Sequence, residues 1–192
     1  ATGSLHGGRP KAGSTALQRF LFSQLPNIDH FSLDARYLAQ ECSEDFRNRW
    51  RDFINGLLTT DKMVLDWERH TKFLEDYIWP PSVSASIKLI SIEGFTSSWG
   101  VGIGEKAARL KYFFPNYKVL MVIRNPLDFL ASGHFQIMMN REERPFFYGL
   151  PSLDRRLRDG IENPDHIASP IMPTLFFKVA RLYESLFGEG NV

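Results

Sequence analysis

Two short stretches of this chain carry residue types that bind phosphate. The first is Gly7-Gly8-Arg9-Pro10-Lys11-Ala12-Gly13-Ser14-Thr15, which runs straight into Leu17, Phe20 and Leu21 at helical spacing. Glycines let a turn point its N–H groups inward, and the start of the following helix adds partial positive charge, so the stretch suits an anion. Against the nucleoside-triphosphatase pattern G-x-x-x-x-G-K-[ST], Gly8, Gly13 and Thr15 fall in register. Ser14 stands where that pattern has its lysine, and the loop's own lysine is Lys11. The best apolar run, 119–123, ends in Arg124 and not in an acid that would hold Mg²⁺. ATP-Mg²⁺ chemistry is therefore disfavoured. A metal-free anhydride is left, with Lys11 placed to neutralise a leaving phosphate.

The second stretch is Arg124-Asn125-Pro126, directly after the apolar run, with Ser132 eight residues beyond Arg124. At the carboxyl end of a strand, Arg124 would face the crevice where α/β sheets bind ligands. Its planar fork suits bidentate phosphate binding. Ser132, about two turns into the next helix, could give a hydroxyl to the same phosphate. The plainer alternative is a surface pair of Arg124 with Asp128 and a core-facing Ser132.

These residues need strands and helices to hold them, and the pattern supplies both. The spacing predicts helices over 15–24, 45–58, 66–78, 105–114 and 126–139, the last with Asn125 as N-cap and Pro126 at its first position. Pro26, Pro80-Pro81 and Pro115 close three of them. Residues 86–92 read as a strand with one polar face, and 119–123 as a parallel strand buried on both faces. Ser4-Leu5-His6 reads as the tail of a strand before the glycine loop. Leu175, Val179, Leu182 and Leu186 give a last helix that stops at Gly188, and Asn191-Val192 reads as a strand beginning. The expectation is a single α/β domain over 1–192, three-layered, with a central parallel sheet flanked by helices and both ends cut. The polar, proline-marked stretch 140–173 reads as a surface insertion.

Composition bounds the rest. With 192 residues, 43% hydrophobic and 23% charged, the chain is an ordinary globular one. A net charge of +1 is too balanced for bulk nucleic-acid binding. No apolar run reaches the ~20 residues of a membrane span, and there is no signal-peptide pattern. One cysteine, Cys42, excludes an internal disulfide. The five histidines, His6, His30, His70, His134 and His166, show no ligand spacing, so no metal is expected. These features favour the cytoplasm, with the Golgi lumen as the alternative should an N-terminal anchor be missing.

Taken together, the two phosphate stretches resemble the sulfotransferase family that uses 3′-phosphoadenosine 5′-phosphosulfate, nearer its carbohydrate-type and bacterial branches. Pro10-Lys11-Ala12-Gly13-Ser14-Thr15 matches that family's P-K-[SA]-G-[ST]-T. Arg124-Asn125-Pro126-Leu127-Asp128-Phe129-Leu130-Ala131-Ser132 matches R-[ND]-P-x-[DE]-R-x-x-S, with Phe129 in place of an arginine. The resemblance implies a P-loop-like fold, a sulfuryl donor and a hydroxyl acceptor, a glycan or a small molecule. It implies that Arg9, Pro10, Lys11, Ala12, Gly13, Ser14 and Thr15 hold the 5′-phosphosulfate, and that Arg124 and Ser132 hold the 3′-phosphate. The family's basic glycine loop near the C-terminus has no counterpart here.

Lys11 is also the candidate catalytic cation, since it could protonate the bridging oxygen. Asp34, in Leu33-Asp34-Ala35-Arg36-Tyr37-Leu38, falls where carbohydrate sulfotransferases often carry a glutamate base. His30 is the second candidate and Glu93, just after the strand at 86–92, the third. Two other readings stay open: a P-loop nucleotide kinase or phosphotransferase, and a non-catalytic nucleotide-binding module. Gly100-x-Gly102-x-Gly104 has the wrong spacing for a dinucleotide loop, and Glu105 would repel a pyrophosphate; it reads as a flexible connector.

Overall fold

The computed structural model describes residues 3–8, 17–25, 27–32, 43–79, 87–96, 100–123, 125–139, 152–162 and 176–192. Four strands, β1 (Gly3–Gly8), β2 (Ile28–Ser32), β3 (Ile87–Ser91) and β4 (Tyr117–Val122), form one sheet in the order β2-β3-β1-β4. Every pairing is parallel. Among the described residues six α-helices accompany it: α1 (Glu44–Thr59), α2 (Trp67–Phe73), α3 (Ile103–Phe113), α4 (Pro126–Met139), α5 (Leu153–Glu162) and α6 (Phe176–Phe187). The chain is thus α/β, with a parallel sheet flanked by helices, as the alternating pattern predicts.

One face of the sheet carries most of the core. Side chains alternate along a strand, so Leu5, Phe31, Ile90, Val119 and Met121 share that face. They belong to one apolar cluster with Trp50, Phe53, Ile54 and Leu57 of α1, Phe73 of α2, Leu110 of α3 and Val179 of α6. In α1 the residues Phe46, Trp50, Phe53, Ile54, Leu57 and Leu58 are all buried, the stripe a 3.6-residue period gives. Its start is fixed by Ser43, whose Oγ accepts from the Phe46 N–H at 3.1 Å. A cap of this kind contributes about 1 kcal/mol, and each large buried side chain about 1.5–3 kcal/mol. The apolar stripe therefore stabilises this helix far more than its cap. In α2, Asp66 caps through the Arg69 N–H at 2.9 Å, and the helix widens into a π turn, Leu74–Ile78.

The two strands read most directly from the sequence exchange their environments. Residues 86–92 were expected to show a polar face, yet Lys88, Leu89, Ile90 and Ser91 are all buried. The strand lies inside the sheet, between β2 and β1, and Lys88 is paired with its register neighbour Asp29. The run 119–123 was expected to be buried on both faces, yet Leu120 is 47% and Ile123 64% exposed. Its strand closes the four-strand ladder, and Leu120 points away from the apolar cluster. On β4's outer side the Val119 N–H donates to the Asn191 carbonyl at 2.6 Å, where a beginning strand was expected.

Other boundaries differ by a residue or two. The last helix ends where Gly188 adopts φ 97°. The first helix, expected over 15–24, is a π segment, Leu17–Leu21, and a 3₁₀ turn, Phe22–Gln24, in its described part. Strand β2 was not foreseen. Within 140–173, α5 is the described part; Asp154, Arg155, Arg158 and Asp159 on it are exposed, and Arg158 pairs with Asp154 at 3.0 Å.

Candidate functional site

The two phosphate stretches leave the sheet from adjacent strands at the same level. β1 and β4 are parallel neighbours, and Gly8 is the register partner of Val122. Gly8 is followed by Arg9 through Ala16, and Ile123 by Arg124. Chain connections diverge here: β1 leads to the far edge at β2, and β4 leads towards Asn191 on the opposite edge. Ligands of open α/β sheets bind at such switch points, beyond the carboxyl ends of the strands.

Of the residues expected in the site, Arg9, Pro10, Lys11, Ala12, Gly13, Ser14, Thr15, Asp34 and Arg124 lie outside the described residues. Asn125 caps α4 as its sequence predicts: its Oδ1 accepts from the Leu127 N–H at 2.9 Å, and its carbonyl from the Phe129 N–H at 3.0 Å. Ser132 is half-buried on α4, about 9 Å along the helix from Pro126.

The described base candidates separate cleanly. His30 sits in the middle of β2, level with Leu89 and, through it, with Ser4. Gly8 lies four residues further along, about 13 Å towards the carboxyl edge. The imidazole is buried, with the Phe22 ring edge-on at 5.5 Å and neither ring nitrogen hydrogen-bonded. Burial pushes its pKa down to about 4, so it is neutral at pH 7. A neutral ring this deep in the sheet packs; it does not reach the edge.

Glu93 is at the edge. His6 pairs with Ser91, the last residue of β3, and Glu93 opens the turn that follows, which packs against β1. It opens a 3₁₀ turn, Glu93–Thr96, and is half-buried. The run before Arg124 has no acid at its end. The acid lies on the other neighbour of β1, beyond β3.

The turn is anchored from two helices. Lys106 of α3, 1% exposed, donates from Nζ to the Gly94 carbonyl at 3.1 Å, and Tyr183 of α6 donates from Oη to the Phe95 carbonyl at 2.8 Å. Sequence reasoning missed both. For Lys106 the signal was present: with Arg109 it falls on the apolar stripe of Ile103, Ala107, Leu110 and Phe113 and not on the solvated face.

The glycine stretch 100–104 starts packed against the end of α1. Gly100 has φ 79°, and a Cβ there would sit 2.0 Å from the Leu58 carbonyl oxygen. The Val101 N–H donates to that same carbonyl at 2.8 Å. Arg109, 1% exposed, donates to the carbonyls of Gly56 at 2.8 Å and Leu57 at 3.1 Å, and pairs with Glu105. The stretch closes the C-terminal end of α1, where a cation complements the helix dipole.

A surface cavity between α1 and α2 is lined by Arg49, Asp52, Arg69, His70, Lys72, Phe73 and Asp76. Each of its cations faces an acid, Arg49 with Asp45, Arg69 with Asp52 and Lys72 with Asp76, so it offers no anion site. Among the described residues no group of three or more His, Cys, Asp or Glu could hold a metal, and no helix is long and apolar enough to cross a membrane.

The fold is similar to that of a solved sulfotransferase. The chain superposes on the crystal structure of a sulfotransferase from Alicyclobacillus acidocaldarius with a TM-score of 0.55 and 17% sequence identity, covering 98% of this chain and 70% of that one. No protein-family model and no curated protein matches the sequence. At this identity the likeness establishes the fold, and the chemistry rests on the residues.

Proposed function

We propose that the protein transfers a sulfuryl group from 3′-phosphoadenosine 5′-phosphosulfate to a hydroxyl acceptor, with carbohydrates the first class to test. The observation that carries this reading is the pairing of Gly8 with Val122. It supports one anion site shared by the two stretches that follow. The fold shared with a sulfotransferase agrees with it.

In this reading Lys11, Gly13, Ser14 and Thr15, with Arg9, Pro10 and Ala12, take the 5′-phosphosulfate, and Arg124 and Ser132 take the 3′-phosphate. The acceptor oxygen attacks sulfur in line, and the bond from sulfur to the bridging phosphate oxygen breaks. Adenosine 3′,5′-bisphosphate leaves, its charge met by Lys11 and the helix N-terminus. The acceptor's proton passes to a base. We assign that base to Glu93, on the turn that follows β3 and packs against β1, ahead of Asp34; the depth of His30 argues against it.

A second reading, phosphoryl transfer, draws on the same Glu93, since an acid beside β1 could hold Mg²⁺. Ser14 in the place of the expected lysine weighs against it. The test is transfer of radiolabelled sulfate from the donor to a panel of sugars, phenols and alcohols. Glu93→Gln should lower the rate about 10²- to 10⁴-fold, the usual contribution of a general base, and His30→Gln should leave it within a few-fold. Transfer from ATP in place of the sulfate donor would reverse the assignment.

A further inference from the structure

We infer that Lys106 and Tyr183 are positioning residues for the acceptor half of the site, acting through the turn that carries Glu93; this rests on the reading of Glu93 as base. The turn Glu93–Thr96 is four residues long, and the backbone bond at its start, Phe95 N–H to the Ile92 carbonyl, is a long 3.3 Å. A 3₁₀ turn of this length has little intrinsic stability. It is held from outside, by two buried donors on two different helices, at successive carbonyls: Lys106 Nζ on Gly94 and Tyr183 Oη on Phe95. Both side chains are 1% exposed, as is Phe95, while Glu93 is only half-buried. The anchoring thus fixes the inner residues of the turn and leaves its acid partly exposed.

Placing an ammonium in the interior is costly. At this position it holds main chain next to the acid rather than solvating itself at the surface. Helices α3 and α6 pack on each other, and α6 also packs on β4. The turn after β3 is therefore tied, across β1, to the strand from which Arg124 departs. The two halves of the site share one rigid support, the arrangement in-line transfer requires.

Two substitutions test this. Tyr183→Phe removes one hydroxyl and keeps the ring stacked on Phe187, whose centroid is 6.0 Å away. Lys106→Met keeps the chain length and removes the charge. The probe is 3′-phosphoadenosine 5′-phosphosulfate with water as acceptor: water attacks sulfur, sulfate and adenosine 3′,5′-bisphosphate are released, and the proton goes to the base. Amide hydrogen exchange at 94–96 should quicken at least about tenfold in either variant, with kcat falling about 10- to 100-fold, the cost of roughly 1 Å of misplacement. The donor KM should stay within about twofold, which a general loss of folding would not allow. Unchanged exchange overturns the inference. Faster exchange with kcat intact, while Glu93→Gln is inactive, overturns it and leaves the base assignment standing. Wild-type kcat in Glu93→Gln removes the base assignment and the inference with it.

Discussion

Arg109→Met should unfold this protein far more easily. The guanidinium donates to the carbonyls of Gly56 and Leu57 at 2.8 and 3.1 Å and is paired with Glu105 at 1% exposure. Methionine fills a similar length but donates nothing. Two carbonyls in the last turn of α1 lose their charged donor, and Glu105 loses its partner. Hydrogen bonds to a charged group are worth about 1.5–3 kcal/mol each, and breaking a buried pair from one side costs about 3–5 kcal/mol. The terms overlap, so we expect about 4 kcal/mol in all. Urea unfolding should show the midpoint falling with its slope unchanged, and Tm should drop by roughly 10 °C for a chain of this size. Arg109→Lys should recover little, because one ammonium cannot span both carbonyls and the carboxylate. Glu105→Gln should cost less than Arg109→Met, since the carboxylate is partly solvated and an amide oxygen can still accept from Arg109. A loss below about 1 kcal/mol in Arg109→Met would refute the reasoning and return residues 100–105 to the status of a loose connector.

Two further outcomes follow from the same geometry. Gly100→Ala should cost about 3 kcal/mol or prevent folding, because alanine resists φ 79° and its Cβ would meet the Leu58 carbonyl oxygen at 2.0 Å; thermal unfolding reads it. His30, with a native pKa of about 4 against an ordinary 6.5, must stay neutral in the fold. The unfolded chain binds that proton more readily, so stability is full above about pH 6.5 and is lost as pH falls towards 4. His30→Leu should flatten that slope in urea midpoints taken at pH 7 and 4.5. Part of the slope will remain with His70, whose pKa burial also lowers.

Much of the architecture was legible because long apolar stripes leave a clear period. The stripe Phe46, Trp50, Phe53, Ile54 and Leu57 specifies α1, and Asn125-Pro126 marks the start of α4. Strand β2 was not legible: in Ile28-Asp29-His30-Phe31-Ser32 each face carries both polar and apolar residues, so no alternation shows. Burial in β3 and β4 was misread for a related reason. Periodicity reports the side chains of one strand, while burial depends on its neighbours. Lys88 is buried because Asp29 comes alongside from β2, and Leu120 is exposed because its strand closes the ladder. The motifs at 10–15 and 124–132 could be read locally. The value of Glu93 could not, since it depends on β3 lying against β1, a long-range pairing. The anchor Tyr183 was hidden in the same way; it meets a carbonyl 88 residues away in sequence.

The central claim is that the strand ends of β1 and β4 present one site for a 3′-phosphorylated adenine nucleotide. Thermal unfolding against adenosine 3′,5′-bisphosphate, with ATP plus Mg²⁺ alongside, tests it most directly. At about 100 times its dissociation constant, a ligand of the native state adds about 2.7 kcal/mol. The account predicts that stabilisation for the bisphosphate, its loss in Lys11→Ala and in Arg124→Ala, and none from ATP with Mg²⁺. Stabilisation by ATP with Mg²⁺ in place of the bisphosphate, or none from the bisphosphate, would contradict it.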